Sequence, residues 1–301
     1  MPGTTVAFLG FMKAQANGRR EGEGSRSIRA TLRFGRLLRL YHRHQLLGLD
    51  NLRRALRTER PVLLIGNHCM DLADPLMLRS AIYHDTGRLV RFIGHELVFF
   101  RLPGIRSFAA DAGVIPSQHV DLALRVLRED GVLMLYPGAG SEAALRLRRR
   151  EPYRLKWYER LGFVELALRS QATLLFVAAV GIDEMFYQTD IRVPSALFGL
   201  VDGTYLESYR GLRFEVGSAG LHLIPGVFPL PVKVTHEISK PLRLDRSVDV
   251  TDRAALEKMQ IRIWARCQKL LDQAVAARDR RSDWLDAAVR RGAHALQAVG
   301  L

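Results

Sequence analysis

The sequence has only two cysteines, Cys69 and Cys267, and no pair of cysteines or histidines at a metal-ligand spacing. This scarcity excludes a disulfide framework, argues against a zinc site, and predicts a reduced, cytoplasmic setting. Neither the H-E-x-x-H pattern of zinc hydrolases nor a G-x-S-x-G nucleophile elbow is present. Several histidines are scattered and are expected to be structural or exposed: His42, His44, His84, His95 and His119. The composition therefore predicts an enzyme, if it is one, without metal or other cofactor.

Long apolar runs are also missing. No stretch reaches the eighteen or so uncharged residues that a bilayer-spanning helix requires, and the longest candidate, 172–182, has the length of a strand. The N-terminal segment "MPGTTVAFLGFMKAQA" lacks a basic start, and Lys13 interrupts its end, so we do not expect a signal peptide. Any membrane contact is therefore predicted to be peripheral.

Lysine is scarce, whereas arginine is abundant: only six of the 45 basic residues are lysine, and the formal net charge is +14. Such a charge fits an anionic membrane surface, an anionic substrate or nucleic acid, and its sign alone does not choose among them. A nucleic-acid-binding protein is the non-enzyme hypothesis. The chain has no recognisable nucleic-acid-binding module and no aromatics interleaved on a basic strand, so we expect no nucleic-acid partner.

Composition along the chain divides it into four segments. Residues 1–27 are predicted to be a flexible N-terminal segment, and residues 28–60 a basic amphipathic helix with a lead-in. That helix could lie on anionic lipid or pack on its own domain, and both interpretations stay open. Residues 61–245 are predicted to form the main domain, and 246–301 a C-terminal helical extension.

Short apolar runs alternate with helical patterns from residue 61 onward. The strand-like runs are 61–66, 89–95, 113–116, 131–137, 173–181 and 230–239. This alternation predicts an α/β fold with a mixed, largely parallel sheet flanked by helices, and helical extensions at both ends. Residues 190–231 are rich in apolar residues, glycine and proline without a clear period. They could form a lid, the wall of an apolar tunnel or a plain structural excursion.

The run "VLLIGNHCMDLADPLML" ends a buried-looking strand with a histidine and then two carboxylates. Ligands of α/β sheets gather outside the carboxyl ends of the strands, where His68 could act as a base and an aspartate could fix its tautomer. Asp74 is our first choice for that aspartate, and Asp71 is the reserve. A simpler interpretation makes Asp74 a helix N-cap, because Pro75 suits the first helical position.

A second candidate cluster is "YPGAGSEAA", residues 136–144, which follows another apolar strand. A glycine-rich turn that enters a helix exposes backbone N–H groups, which can bind an oxyanion or an acceptor oxygen. The simpler interpretation is a tight strand–helix turn in which Glu142 only favours the helix N-terminus.

Taken in order, these motifs resemble the glycerolipid acyltransferase superfamily. "GNH…D" is followed by "FRLPG" (100–104), "PGAGSEA" (137–143), "WYERLGFVELA" (157–167) and "LLFVAAVGIDE" (174–184). The match is closer to the branch of diacylglycerol acyltransferase type 2 and its relatives, and it covers roughly residues 38–245. Two departures stand out: the aspartate follows His68 at H-x(5)-D rather than H-x(4)-D, and Ser141 stands where phosphate-binding members have arginine.

The resemblance implies an O-acyltransferase that moves a fatty acyl group from an acyl thioester to a lipid hydroxyl. His68 would be the base and Asp74 its orienter, and the substrate-binding residues would be Gly138, Ala139, Gly140, Ser141 and Glu142. The donor would be acyl-CoA or acyl carrier protein, and the protein would be cytoplasmic and peripheral on the membrane. Because a serine cannot replace the charge of arginine, Ser141 favours a neutral glycerolipid or long-chain alcohol as acceptor. The alternatives are a lysophosphatidic acid acyltransferase and an inactive membrane- or nucleic-acid-binding relative.

Overall fold

The structure is a computed structural model of the 301-residue chain. It describes residues 25–58, 60–68, 72–95, 99, 103–129, 131–139, 142, 152–157, 159–192, 213–218, 220–222, 229–280 and 284–298. The predicted flexible segment lies outside these residues, apart from its last three positions, 25–27.

Helices and strands alternate through most of the described chain. The helices are α1 (Arg26–Tyr41), α2 (Leu49–Leu56), α3 (Ala73–Thr86), α4 (Pro103–Asp111), α5 (Val120–Arg128), α6 (Gly162–Ser170), α7 (Arg253–Asp279) and α8 (Trp284–Ala298), with a 3-10 turn at Ile182–Glu184. The strands are β1 (Gln45–Leu47), β2 (Val62–Gly66), β3 (Val90–Gly94), β4 (Val114–Pro116), β5 (Val132–Leu135), β6 (Thr173–Val180), β7 (Tyr187–Arg192), β8 (Arg213–Gly217), β9 (Gly220–His222) and β10 (Thr235–Ile238).

The main sheet has seven strands in the order β1-β10-β6-β2-β5-β3-β4. Strands β2 to β6 are parallel to one another. Strand β10 runs antiparallel to β6, and β1 lies parallel beside β10. The predicted mixed, largely parallel α/β sheet is confirmed. The antiparallel part of this mixed sheet is the pairing of β10 with β6, which brings β10 next to the carboxyl end of β6.

Strand β2 lies inside the sheet, and all five of its residues are buried. Val62 and Leu64 pack against α2 and α3, while Leu63 and Ile65 pack against α5, α6 and α7. A strand covered on both faces is apolar throughout rather than alternating, which is why this run stands out in the sequence.

Helix α1 packs on α3 with one side and leaves the other side exposed. Gly35 makes the close approach possible, because a Cβ atom there would lie 2.3 Å from the carbonyl oxygen of Leu76. The exposed large side chains of α1 are Phe34, Leu37, Leu40 and Tyr41. The two open interpretations of this helix are therefore compatible.

Strands β7 to β9 form a separate antiparallel sheet within the segment 190–231 and just before it. The stretches 193–212 and 223–228 lie outside the described residues, so the lid and tunnel hypotheses are not tested. The C-terminal extension is helical but divided into α7 and α8. No helix in the described part of the chain combines the length and apolarity needed to cross a bilayer.

Candidate active site

The histidine predicted to be the base follows the carboxyl end of β2. Asn67 fixes this point, because its side-chain amide donates to the carbonyl oxygen of Ala179 and accepts from the N–H of Ala179, both at 2.8 Å. The buried Asn67 thus continues the pairing of β2 with β6 by one side chain. Two hydrogen bonds of about 1 kcal/mol each hold the backbone immediately before His68.

Tyr136 forms the wall against which His68 lies. It follows β5, and the parallel register of β2 and β5 brings it beside Gly66. A Cβ atom at Gly66 would lie 2.7 Å from the end of Met134 and 3.1 Å from the carbonyl oxygen of Val177, so glycine makes room for these atoms, and its contact with the Tyr136 ring would be an ordinary 3.4 Å. The His68 and Tyr136 rings stack, with centroids 4.4 Å apart and an angle of 21° between their planes.

Asp74 is fully buried in the first turn of α3. The helix starts one residue earlier, at Ala73, and its N-cap is Leu72 without a side-chain capping bond, so the simple N-cap interpretation of Asp74 is wrong. Its carboxylate instead accepts a 2.9 Å hydrogen bond from the Tyr136 hydroxyl at Oδ2. Tyr136 therefore contacts both residues of the predicted base–orienter pair.

The other oxygen of Asp74 faces a second histidine. Nε2 of His236, on β10, lies 2.5 Å from Oδ1 of Asp74. Nδ1 of His236 lies in turn 2.7 Å from Nε2 of His44, which precedes β1. We call His44, His236, Asp74 and Tyr136 the buried chain. These side chains bond to one another rather than surrounding a cation, and no metal-binding group was found among the described residues.

Exposure distinguishes the histidines at this site. His236 is 1% exposed, whereas His68 is partly exposed. Burial, reinforced by the charges of His236, Arg39 and His42, holds the pKa of His44 well below its usual value. A substrate hydroxyl can therefore reach the partly exposed His68 but not the buried His236.

The side chain of Glu142 packs against the glycine-rich turn. This side chain is fully buried and accepts a 3.2 Å hydrogen bond from the indole N–H of Trp157. Gly138 packs on it so closely that an added Cβ would lie 2.2 Å from Oε2 of Glu142. Ala139 adopts a left-handed φ of 43°, which costs a non-glycine residue about 1 kcal/mol. Of the two roles predicted for Glu142, its contacts fit support of the turn.

Two amides of this turn are already engaged within it. The N–H of Ala139 donates to the carbonyl of Tyr136, and the N–H of Glu142 donates to the carbonyl of Gly138, both at 3.0 Å. Oxyanion donors must therefore come from other amides of the turn. Gly140 and Ser141 lie outside the described residues, as do Asp71 and Cys69.

Sequence reasoning missed Tyr136 and His236 and set His44 aside as scattered. A signal for His236 was available in "LPVKVTHEIS". Alternation places His236 with Val234 and Ile238, and all three are buried. A histidine on the buried face of a strand must find a polar partner, and here the partner is Asp74.

Known proteins resemble this chain over the same segment. Residues 45–180 match the family model named Acyltransferase, and this range contains His68, Asp74, Tyr136 and Glu142. This segment resembles the acyltransferase family. The resemblance to the glycerolipid acyltransferase superfamily is thus confirmed, whereas His44 and His236 lie outside the matched range.

Curated relatives extend the comparison. An uncharacterized protein of Mycobacterium tuberculosis is 31% identical over 177 residues, covering 58% of this chain and 47% of the relative. One of Mycobacterium leprae is 30% identical over 177 residues, covering 58% and 46%. Phytyl ester synthase 2, chloroplastic, of Arabidopsis thaliana is 24% identical over 242 residues, covering 74% and 34%. The chain spans about half the length of the mycobacterial relatives and about a third of the plant enzyme.

Proposed function

We propose that this protein is an O-acyltransferase that moves a fatty acyl group from an acyl thioester to a lipid hydroxyl. One observation carries the proposal. Within the family-matched segment, a partly exposed His68 at the carboxyl end of parallel strands stacks on Tyr136, whose hydroxyl donates to the buried Asp74. This places an accessible base beside a buried carboxylate, where sheets of this kind bind ligands.

In the proposed reaction, His68 removes the proton of the acceptor hydroxyl, and the oxygen attacks the thioester carbonyl. A C–O bond forms, the tetrahedral oxyanion collapses, and the C–S bond breaks. His68 then returns the proton to the departing thiolate, so the protein is unchanged at the end of the cycle. Asp74 stabilises the positive charge that develops on His68 when it takes the proton. No covalent acyl-enzyme is required.

The glycine-rich turn would supply the donors for the oxyanion. Gly138 packs on the buried Glu142, whose hydrogen bond from Trp157 anchors the turn, and the N–H of Ala139 is already used within the turn. Amides fixed in this way need little reorganisation when the oxyanion forms, which is the condition for strong electrostatic stabilisation. Gly140 and Ser141 complete the proposed substrate-binding set.

We propose a neutral acceptor: a mono- or diacylglycerol or a long-chain alcohol. Ser141 brings no charge to the position at which a guanidinium would bind a phosphate by two hydrogen bonds. The name of the plant relative points the same way, since a phytyl ester is the ester of a neutral alcohol. Acyl-CoA and acyl carrier protein both remain candidate donors.

A panel of acceptors tests this proposal. Labelled acyl-CoA and acyl carrier protein are offered with monoacylglycerol, diacylglycerol, a long-chain alcohol or lysophosphatidic acid. We expect kcat/KM for the best neutral acceptor to exceed that for lysophosphatidic acid by about tenfold or more, because one charge-assisted contact is missing. Ser141→Arg should narrow that difference by improving use of the phosphate-bearing acceptor.

Two other results would change the proposal. Preferential use of lysophosphatidic acid by the wild type would make it a lysophosphatidic acid acyltransferase and overturn the argument from Ser141. An absence of product with every acceptor and both donors, from folded protein, would favour an inactive relative.

We also propose that the protein is cytoplasmic and binds the membrane peripherally through α1. Its exposed stripe of Phe34, Leu37, Leu40 and Tyr41 lies among exposed arginines, the composition that suits anionic lipid. The exposed Leu72 precedes α3, on which α1 packs, and His68 lies four positions before it in the sequence. An acceptor lipid could thus pass from this surface to the site.

Co-sedimentation with vesicles tests the surface. Replacing Leu37 and Leu40 by aspartate should reduce binding to anionic vesicles about tenfold or more, because apolar area is lost and negative charge is gained. Ile261→Asp is the matched control, since Ile261 is equally exposed but lies on α7, across the sheet. Equal binding by both variants would reject α1 as the contact.

A further inference from the structure

Two further histidines, the buried His236 and the partly buried His44, lie beside the proposed site, and the reaction proposed above assigns them no part. His236 is 1% exposed, and Nδ1 of His44 is buried without a hydrogen-bond partner among the described residues. Polar rings in an apolar interior are costly unless they are bonded, so such a pair needs a physical reason. One hydrogen bond joins His44 to His236, and another joins His236 to Asp74 of the proposed site.

One arrangement of protons gives every N–H in these hydrogen bonds an acceptor. Asp74 is surrounded by donors: Tyr136 donates to Oδ2, and Nε2 of His236 must carry a proton to donate to Oδ1. Because burial and the neighbouring charges lower the pKa of His44, that ring is neutral. A neutral His44 donates from Nε2 to the unprotonated Nδ1 of His236, which leaves no N–H of the pair without an acceptor.

The backbone makes this arrangement rigid. His236 pairs in register with Ala179 of β6, the same residue whose backbone binds Asn67. On the other side of β10, His236 pairs with Leu46 of β1, two positions after His44. The strand that carries His236 is therefore tied to the residue immediately before His68.

We propose that His236 is a positioning residue that holds the Asp74 carboxylate, and that His44 fixes the tautomer of His236. This inference rests on the proposed acyl transfer. Asp74 in turn holds the hydroxyl of Tyr136, and the Tyr136 ring stacks on His68, so the hold on Asp74 reaches the base. His236 itself is too deeply buried to touch a substrate.

Steady-state kinetics of three variants test the role. His236→Leu should lower kcat about 10²-fold with little change in KM, because a small displacement of a catalytic group costs about that much. His236→Gln should recover kcat to within about tenfold of the wild type, since the glutamine amide can still donate to Asp74. His42→Gln is the control: His42 is equally buried but bonds to the carbonyl of Val232, and kcat should not change.

Two results would overturn the proposal: equal losses of kcat in all three variants, or a kcat of His236→Gln as low as that of His236→Leu. Either result would show that His236 is only structural. Nitrogen-15 NMR of the histidine rings gives a readout that is independent of turnover. It should find His236 protonated at Nε2 in the wild type, and the spectrum of His44 should change in His236→Leu. If the wild type transfers no acyl group, the proposed function is overturned. If NMR finds no proton on Nε2 of His236, the proposed role of His236 is overturned.

Discussion

Replacing His68 with alanine is expected to lower kcat for acyl transfer by about 10³-fold, because positioned general bases typically contribute 10² to 10⁴. Among the histidines near this edge of the sheet, His68 is partly exposed, while His42 and His236 are buried. The effect should fall on kcat rather than KM, since the proton is transferred only as the acceptor attacks. Acyl transfer to the best acceptor of the panel is the measurement.

The change should leave the fold intact, because His68 lies after β2, and Asn67 rather than His68 fixes the end of that strand. Thermal unfolding of wild type and variant should therefore coincide within a few degrees. His84→Ala is the control, since His84 lies near the opposite end of α3 and its side chain is largely exposed. A His68→Ala enzyme with wild-type kcat would mean that another group takes the proton.

The sequence could predict the central sheet because its strands are buried on both faces. β2, β5 and β6 are uninterrupted apolar runs, and helical patterns lie between the successive strand-like runs of this region. The location of His68 and Asp74 relative to the sheet could also be predicted, because both residues follow the apolar run of β2. Local pattern was enough for this part of the site.

The antiparallel edge could not be read from local pattern. β10 lies far along the chain from β6, and nothing in either run states that they pair or in which direction. The contact of His236 with Asp74 depends on that pairing and joins residues 162 positions apart. Alternation along β10 would have indicated that His236 is buried, but only the sheet order identifies its partner.

Glu142 shows a different limit. A carboxylate after a glycine-rich turn suits either a ligand or the turn itself, and the sequence left both roles open. The outcome depends on Trp157, whose segment returns beneath the turn and donates its indole N–H to Glu142. Such a contact between two loops depends on how both are packed, which neither periodicity nor turn chemistry specifies.

Asp74→Asn is expected to lower kcat by roughly 10⁴-fold, the scale seen when an orienting aspartate becomes an amide. The amide has one acceptor oxygen, whereas Asp74 accepts from both Tyr136 and His236. In either orientation, the NH₂ of the asparagine faces the Tyr136 hydroxyl or Nε2 of His236. Two donors then face each other, so they must move apart or change their protonation. The measurement is again kcat for acyl transfer, with unfolding followed in parallel because Asp74 is fully buried.

Asp71→Asn distinguishes the two carboxylates near His68. A large loss at position 71 with an active Asp74→Asn enzyme would transfer the orienting role to Asp71. The double variant Asp74→Asn/His236→Leu then separates a shared role from two independent ones. If His236 acts through Asp74, the second change should lower kcat little further, because residues that act as a unit are not additive. Losses that multiply would mean that His236 supports activity by another route.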